Sequence, residues 1–132
     1  MHQMLVRVYY EDTDAGGVVY HANYLKFFER ARSELLRELG FEQDVLLEQN
    51  IAFVVKKAEL DFRSPARFNQ QISINTHISS LKRASLEFTQ EALDENQKVL
   101  VSAVIKIASV DLVRLKPVAI PSVIIEEFKR AC

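Results

Sequence analysis

The sequence predicts an α+β domain in which an antiparallel sheet curls around one long helix. Three observations carry this. A β-favouring opening stretch runs into an Asp/Gly cluster, a long segment then repeats apolar residues at three- and four-residue steps, and after Asn50 the apolar period changes to two. Only three glycines and three prolines occur in the 132 residues, and there is no repeat, low-complexity tract or Ser/Gly linker. Residues 1–132 read as one domain, large enough to bury about two thirds of the surface its unfolded form exposes.

In order, residues 4 to 10 carry Val6, Val8, Tyr9 and Tyr10 and predict a first strand. Asn23 is placed to N-cap a helix over Tyr24 to Leu39 that stops at Gly40. Its apolar stripe is Leu25, Phe28, Ala31, Leu35 and Leu39, widened by Phe27 and Leu36, with Lys26, Arg30, Ser33 and Arg37 elsewhere. A shorter helical turn follows across Glu42 to Gln49. Val54, Lys56, Ala58, Leu60 and Phe62 then share one face of a strand that Pro65 breaks. Ile72, Ile74, Thr76 and Ile78 mark a third strand, and Leu86, Phe88, Gln90 and Ala92 a fourth. Asp94 to Gln97 supply hairpin-turn chemistry before Val99 to Val110, which is apolar on both faces and so central or at a subunit contact. Ser122 to Arg130 can cap a short helix after Pro121. A sheet wrapped on one helix has the shape of a hotdog. The helix is expected to be ~24 Å long, and strands of about a dozen residues at ~3.3 Å each exceed it, leaving long edges that favour a dimer.

Lys plus Arg number 17 against 18 Asp plus Glu, a net charge near −1 that gives no general reason to bind nucleic acid or an anionic membrane. Any basic site must be local. The single Cys132 excludes an internal disulfide and argues against a cysteine-based metal site. The first residues lack a basic segment followed by an apolar run, and charges interrupt every later hydrophobic stretch, so a soluble, cytoplasmic protein without a membrane-spanning segment is expected.

The chemistry-bearing residues concentrate between Tyr9 and Tyr24, where Asp12, Asp14, Gly16, Gly17 and His21 stand between a strand and a helix. Asp14 is a candidate nucleophile or general base, the glycines can bend the backbone beside it, and the amides of Tyr20, His21 and Ala22 approach a helix start that favours an oxyanion. Together they suggest hydrolysis of an acyl compound. The same spacing also suits Asp12 and Asp14 as plain turn caps. His21 can act as acid or base, orient the ligand, or contribute only its N–H. His2 and His77 lie on other elements and no HxxxH or CxxC spacing exists, which argues against a metal; without a GxSxG elbow, Ser64 and Ser85 have no nucleophile signature. Glu29 or Glu34 can project from the helix into a site or remain solvated. Lys82 with Arg83, and Arg63 with Arg67, can each meet phosphate oxygens or stay in solvent. Tyr20, Tyr24, Phe27 and Phe28 can line an acyl pocket or fill core.

Tyr10 to Tyr24, followed by Phe28-Glu29-Arg30-Ala31-Arg32, closely resembles the hotdog-fold 4-hydroxybenzoyl-CoA thioesterase family. Within it the chain is most similar to bacterial acyl-CoA thioesterases encoded beside the Tol-Pal envelope system, and the likeness continues through Asp61 to Pro65 and Lys82-Arg83. The resemblance implies that Asp14 is the catalytic carboxylate, Gly17 the motif glycine and His21 the position whose backbone N–H polarises the thioester carbonyl. It implies no metal or bound cofactor, and places Lys82 and Arg83 near the nucleotide end of coenzyme A; Tyr20, Tyr24 and Ser64 join them as candidate substrate contacts. Ala15 stands where the enzyme that names the family has proline, so short aliphatic and aromatic acyl groups both stay open. The resemblance further implies a homodimer or dimer-of-dimers tetramer with sites at the subunit interface. Two readings remain: acyl-CoA hydrolysis with Asp14 as nucleophile or general base, and a non-catalytic scaffold that binds acyl carrier protein or associates with the envelope.

Overall fold

The computed structural model describes residues 1–131, so Cys132 lies outside the described residues. The chain runs β1 (His2–Arg7), a 3-10 turn (Tyr10–Asp12), α1 (Asn23–Glu38), α2 (Gln43–Glu48), β2 (Ile51–Phe62), β3 (Gln71–Leu81), β4 (Ser85–Leu93), β5 (Val99–Asp111), β6 (Lys116–Pro117) and α3 (Ser122–Ala131). The strands form one antiparallel sheet in the order β1-β3-β4-β5-β2, with β6 on β5. This is the expected sheet wrapped on a central helix. β5 is an interior strand paired on both sides, in keeping with its apolar faces, and β1 and β2 are the edges. The 12 residues of β2 reach ~40 Å, well past the ~24 Å of α1. None of the described helices is long and apolar enough to cross a membrane.

The first strand ends three residues earlier than expected. The Tyr9 N–H donates to the Asp12 carboxylate at 2.8 Å, which turns the chain into the 3-10 segment before the tyrosines can extend the ladder. Asn23 does not cap α1. Ala22 occupies that position, and the Asn23 amide instead donates to the Asp12 carbonyl at 2.9 Å, tying the helix start to the turn before it.

The buried stripe of α1 is Tyr24, Phe27, Phe28, Ala31, Arg32, Leu35 and Leu36. Leu25, expected inside, is 47% exposed, Leu39 is half-buried, and Arg32 takes a core position. The stripe is therefore rotated toward Arg32, whose charge is accommodated by a polar link to the sheet. Its Nη1 donates to Gln90 Oε1 at 3.0 Å, while Gln90 Nε2 donates to the Phe28 carbonyl at 3.0 Å and to Thr76 Oγ1 at 2.9 Å. Burial lowers the Arg32 pKa from its ordinary value, opposed by the negative charge of Glu29. Around this link Phe27, Phe28, Ile74, Phe88 and Ile105 are buried, each worth about 1.5–3 kcal/mol relative to exposure. Ile124 and Phe128 of α3 extend the same core.

The period-two pattern of β2 does not survive along its length. A bulge between Val55 and Lys57 shifts the register, and as an edge strand paired only with β5 it leaves Val54, Val55 and Phe62 exposed.

Candidate active site

The Asp/Gly cluster folds as a tight hairpin. The Asp14 N–H donates to the Val18 carbonyl at 2.9 Å and the Gly17 N–H to the Asp14 carbonyl at 3.0 Å, with bridges between Thr13 and Val19 and between Val18 and Arg67. Gly17 sits at φ 77°, a left-handed conformation that other residues adopt only with strain. The Gly16 N–H donates to Asp14 Oδ1 at 2.8 Å, which fixes one carboxylate oxygen; a Cβ on Gly16 would stand 3.3 Å from that oxygen. Asp14 thus caps its own turn and also lines a cavity of about 330 Å³ with His21, Tyr24, Phe62, Ser64 and Pro65. The turn-cap role offered for it in sequence is met, and the same residue lines the cavity.

Asp12 is structural. Its carboxylate holds the Tyr9 N–H, and its carbonyl accepts the Tyr20 N–H at 2.9 Å as well as the Asn23 side chain. That bond removes Tyr20 from the three amides expected to receive an oxyanion. The Asn23, Tyr24 and Leu25 amides turn onto the carbonyls of Tyr20, His21 and Ala22 at 2.8, 3.3 and 3.2 Å. Among the described residues, the His21 and Ala22 amides have no acceptor, and they sit at the positive end of the 16-residue α1.

The His21 imidazole is exposed and packs on aromatic rings, with centroids 4.6 Å from Tyr20 and 6.1 Å from Phe62. Tyr20 reaches the site only through that ring contact. Tyr24 is buried at the cavity wall, where its hydroxyl oxygen accepts the Ala66 N–H at 3.2 Å. Burial raises the phenol pKa, with the Ala66 bond opposing, so Tyr24 stays protonated and keeps its own O–H to donate. Phe27 and Phe28 belong to the core and do not line this cavity.

Ser64 lies on the cavity wall, its N–H held by the Leu100 carbonyl at 3.1 Å. Of the loop after β2, Ser64 is a candidate contact from sequence and the resemblance runs through Asp61 to Pro65, but Phe62 and Pro65 are not singled out there as wall residues: they stand some forty positions from the motif, and the strand break at Pro65 is the one local signal. Lys82 and Arg83 occupy the β3–β4 hairpin. The motif meets the chain just before Gln71, so the eleven residues of β3 hold the hairpin about 30 Å away within one protomer. Glu29 and Glu34 do not line the Asp14 cavity. Glu29 accepts a bond from Ser33 Oγ at 3.0 Å and Glu34 pairs with Arg37. His2 pairs with Glu38 at 3.1 Å, and among the described residues no three of His, Cys, Asp and Glu gather as a metal site. A larger apolar groove of about 530 Å³, between α1 and the β2 edge, is lined by Glu29, Arg30 and Arg32 but by no residue of the Tyr9–Tyr24 cluster.

Residues 8–128, spanning the hairpin, the helix and the whole sheet beyond β1, match the model of the thioesterase-like superfamily. The chain belongs to that superfamily. An acyl-CoA thioester hydrolase, YbgC, of Escherichia coli O6:H1 is 46% identical over 125 residues, covering 95% of this chain and 93% of that protein. The acyl-CoA thioesterase YbgC of Haemophilus influenzae is 52% identical over 117 residues, 88% of this chain and 85% of its own. Among solved structures, a probable thioesterase of Bartonella henselae superposes with a TM-score of 0.84 at 41% identity, covering 91% of this chain and 98% of that one. The chain is a hydrolase of the thioesterase kind with a hotdog fold.

Proposed function

We propose that the chain hydrolyses acyl-CoA thioesters to a free acid and coenzyme A in the Asp14 cavity. The observation that carries the proposal is the pairing of a half-tethered carboxylate with amides that have no acceptor. Asp14 Oδ1 is held by the Gly16 N–H, leaving Oδ2 for chemistry, while the His21 backbone N–H at the start of α1 receives the thioester oxygen as it becomes negative. Oδ2 either attacks the carbonyl, expelling the CoA thiolate as the C–S bond breaks and leaving an acyl anhydride that water then cleaves, or removes a proton from a water that attacks the carbonyl and expels the same thiolate. Tyr24 bounds the acyl side, and Ser64 lies at the mouth. A cavity of about 330 Å³ suits a short aliphatic chain or a single aromatic ring. The residues ask for no metal or cofactor. The long exposed β2 edge supports a homodimer, and pairing of dimers a tetramer. A cytoplasmic location agrees with coenzyme A as substrate.

Thiol release from a panel of short, long and aromatic acyl-CoAs tests the proposal. Turnover of at least one member is expected, strongest for the small acyl groups. A purified protein that binds acyl carrier protein and releases no thiol from any member would replace this reading with the scaffold.

A further inference from the structure

We infer that the turn between β5 and β6 is a docking tip for an anionic lipid surface, which Val113 and Leu115 enter while Arg114 and Lys116 meet the headgroup phosphates. The turn stands at the end of the sheet remote from the Asp14 cavity. Ser64 is anchored on the Leu100 carbonyl at one end of β5, and Asp111 at the other end lies about 35 Å away.

The turn projects apolar side chains on a backbone that is held in place. Asp111 Oδ1 accepts the Val113 and Arg114 N–H groups at 2.8 and 3.1 Å. The Asp111 carbonyl accepts the Leu115 N–H at 2.7 Å, and the Asn50 carbonyl accepts that of Leu112 at 2.8 Å. On this frame Val113 is 72% and Leu115 78% exposed, with Leu112 beside them also exposed. Leu115 is further set apart by its backbone. Among the described residues with positive φ, Asn50, Asn69 and Gln97 carry amide side chains and two are glycines; Leu115, at φ 56°, is the one apolar side chain. A branched apolar residue in the left-handed region costs stability that glycine or asparagine would spare, and no burial within the chain offsets it here. Burial outside the chain can.

The charges around the tip select the occupant. Arg114 and Lys116 alternate with the apolar pair and are exposed, and neither has a carboxylate partner among the described residues. The β3–β4 hairpin adjoins this end of the sheet, since the Arg83 carbonyl accepts the Ile120 N–H at 2.8 Å and the Ala84 carbonyl accepts that of Ser109 at 2.9 Å. Lys82 and Arg83 therefore add positive charge beside the tip. Apolar side chains at the level of several cations match the boundary between anionic headgroups and acyl chains. An acidic protein would meet the cations and leave valine and leucine in water. A second copy docked tip to tip would bring like charges together.

The test is flotation of the full chain with vesicles of phosphatidylcholine alone, or of phosphatidylcholine with an equal part of phosphatidylglycerol. Wild type should rise with the anionic vesicles, stay behind with the neutral ones and be released by high salt. Arg114→Gln/Lys116→Gln should weaken binding roughly thirtyfold, the weight of two cations at an anionic surface. Val113→Ser/Leu115→Asn should weaken it roughly tenfold or more. In that variant Tm should not fall, because asparagine suits the left-handed backbone, and thiol release from a soluble short-chain acyl-CoA should match wild type. Wild type that stays behind with both vesicles or rises equally with both would overturn the inference, as would unchanged binding in either double variant. A Val113→Ser/Leu115→Asn chain with lowered Tm or altered oligomeric mass would also overturn it, since the turn would then serve the fold or a contact between copies. Flotation reads out whether or not the chain cleaves any thioester.

Discussion

Gly16 and Gly17 are neighbours in one turn, yet substituting each with alanine should damage different properties. At Gly16 the added Cβ would stand 3.3 Å from Asp14 Oδ1, close enough that the carboxylate must retreat by a few tenths of an ångström. If a displacement of 1 Å costs on the order of a hundredfold in rate, a few tenths should cost roughly four- to tenfold in kcat. Gly16 has no left-handed φ, so alanine there also lowers the entropy of the unfolded chain by about 0.4–1 kcal/mol, and stability should not fall. At Gly17 nothing lies within 4 Å of a new Cβ, but φ is 77°. The cost there is conformational, about 1–2 kcal/mol, or roughly 3–8 °C in Tm, while kcat is largely kept. Thiol-release kinetics at saturating acyl-CoA and thermal unfolding of the two variants measure both quantities. Full kcat in Gly16→Ala, or a kcat that tracks Tm across both variants, would refute the idea that this turn aims the carboxylate.

Three further outcomes follow from the same geometry. Tyr24→Phe removes the acceptor of the fully buried Ala66 N–H and should cost about 1–3 kcal/mol, read by denaturant unfolding. Because burial raises the Tyr24 pKa above 10.0, the wild-type advantage should be complete below the unfolded value and shrink as pH rises through the folded one; an alkaline series that leaves the gap constant would contradict this. Gln90→Leu strands the Arg32 guanidinium and Thr76 in the core and should cost about 3 kcal/mol, roughly 10 °C in Tm, whereas an unchanged Tm would show that the polar link is dispensable. Single-turnover hydrolysis in heavy-oxygen water separates general-base attack from direct attack followed by water opening the anhydride at the Asp14 carbonyl. Label absent from the first product acid and present in Asp14 indicates the second route, and label entering the acid at once with none in Asp14 rejects it.

Most of the architecture was legible in the sequence because its signals are local. The helical spacing from Tyr24 to Leu36 and the alternations at Ile72–Ile78 and Leu86–Ala92 each report one element's own buried face. What escaped depends on partners distant in sequence. Arg32 is left out of the predicted buried stripe, because its burial depends on Gln90, 58 positions later, which receives its guanidinium. Asn23 reads as a cap until Asp12 claims its side chain, and Tyr20 as an oxyanion donor until the same Asp12 carbonyl takes its N–H. In β2 the bulge after Val55 scrambles an alternation that its residues alone predict to be regular. Within the site, Asp14, Gly17 and His21 could be singled out because the hairpin that assembles them spans eight residues. On the opposite wall the resemblance points to Ser64, but Phe62 and Pro65 arrive through tertiary packing, and their own periodicity does not mark them as site residues.

The central claim is that the Asp14 carboxylate performs the chemistry, and Asp14→Asn tests it most directly. Asparagine keeps the side-chain oxygen that accepts the Gly16 N–H and removes the charge. Acyl-CoA affinity from equilibrium binding should stay near wild type while kcat falls by about 10²–10⁴-fold. A variant that turns over at nearly the wild-type rate would contradict the account.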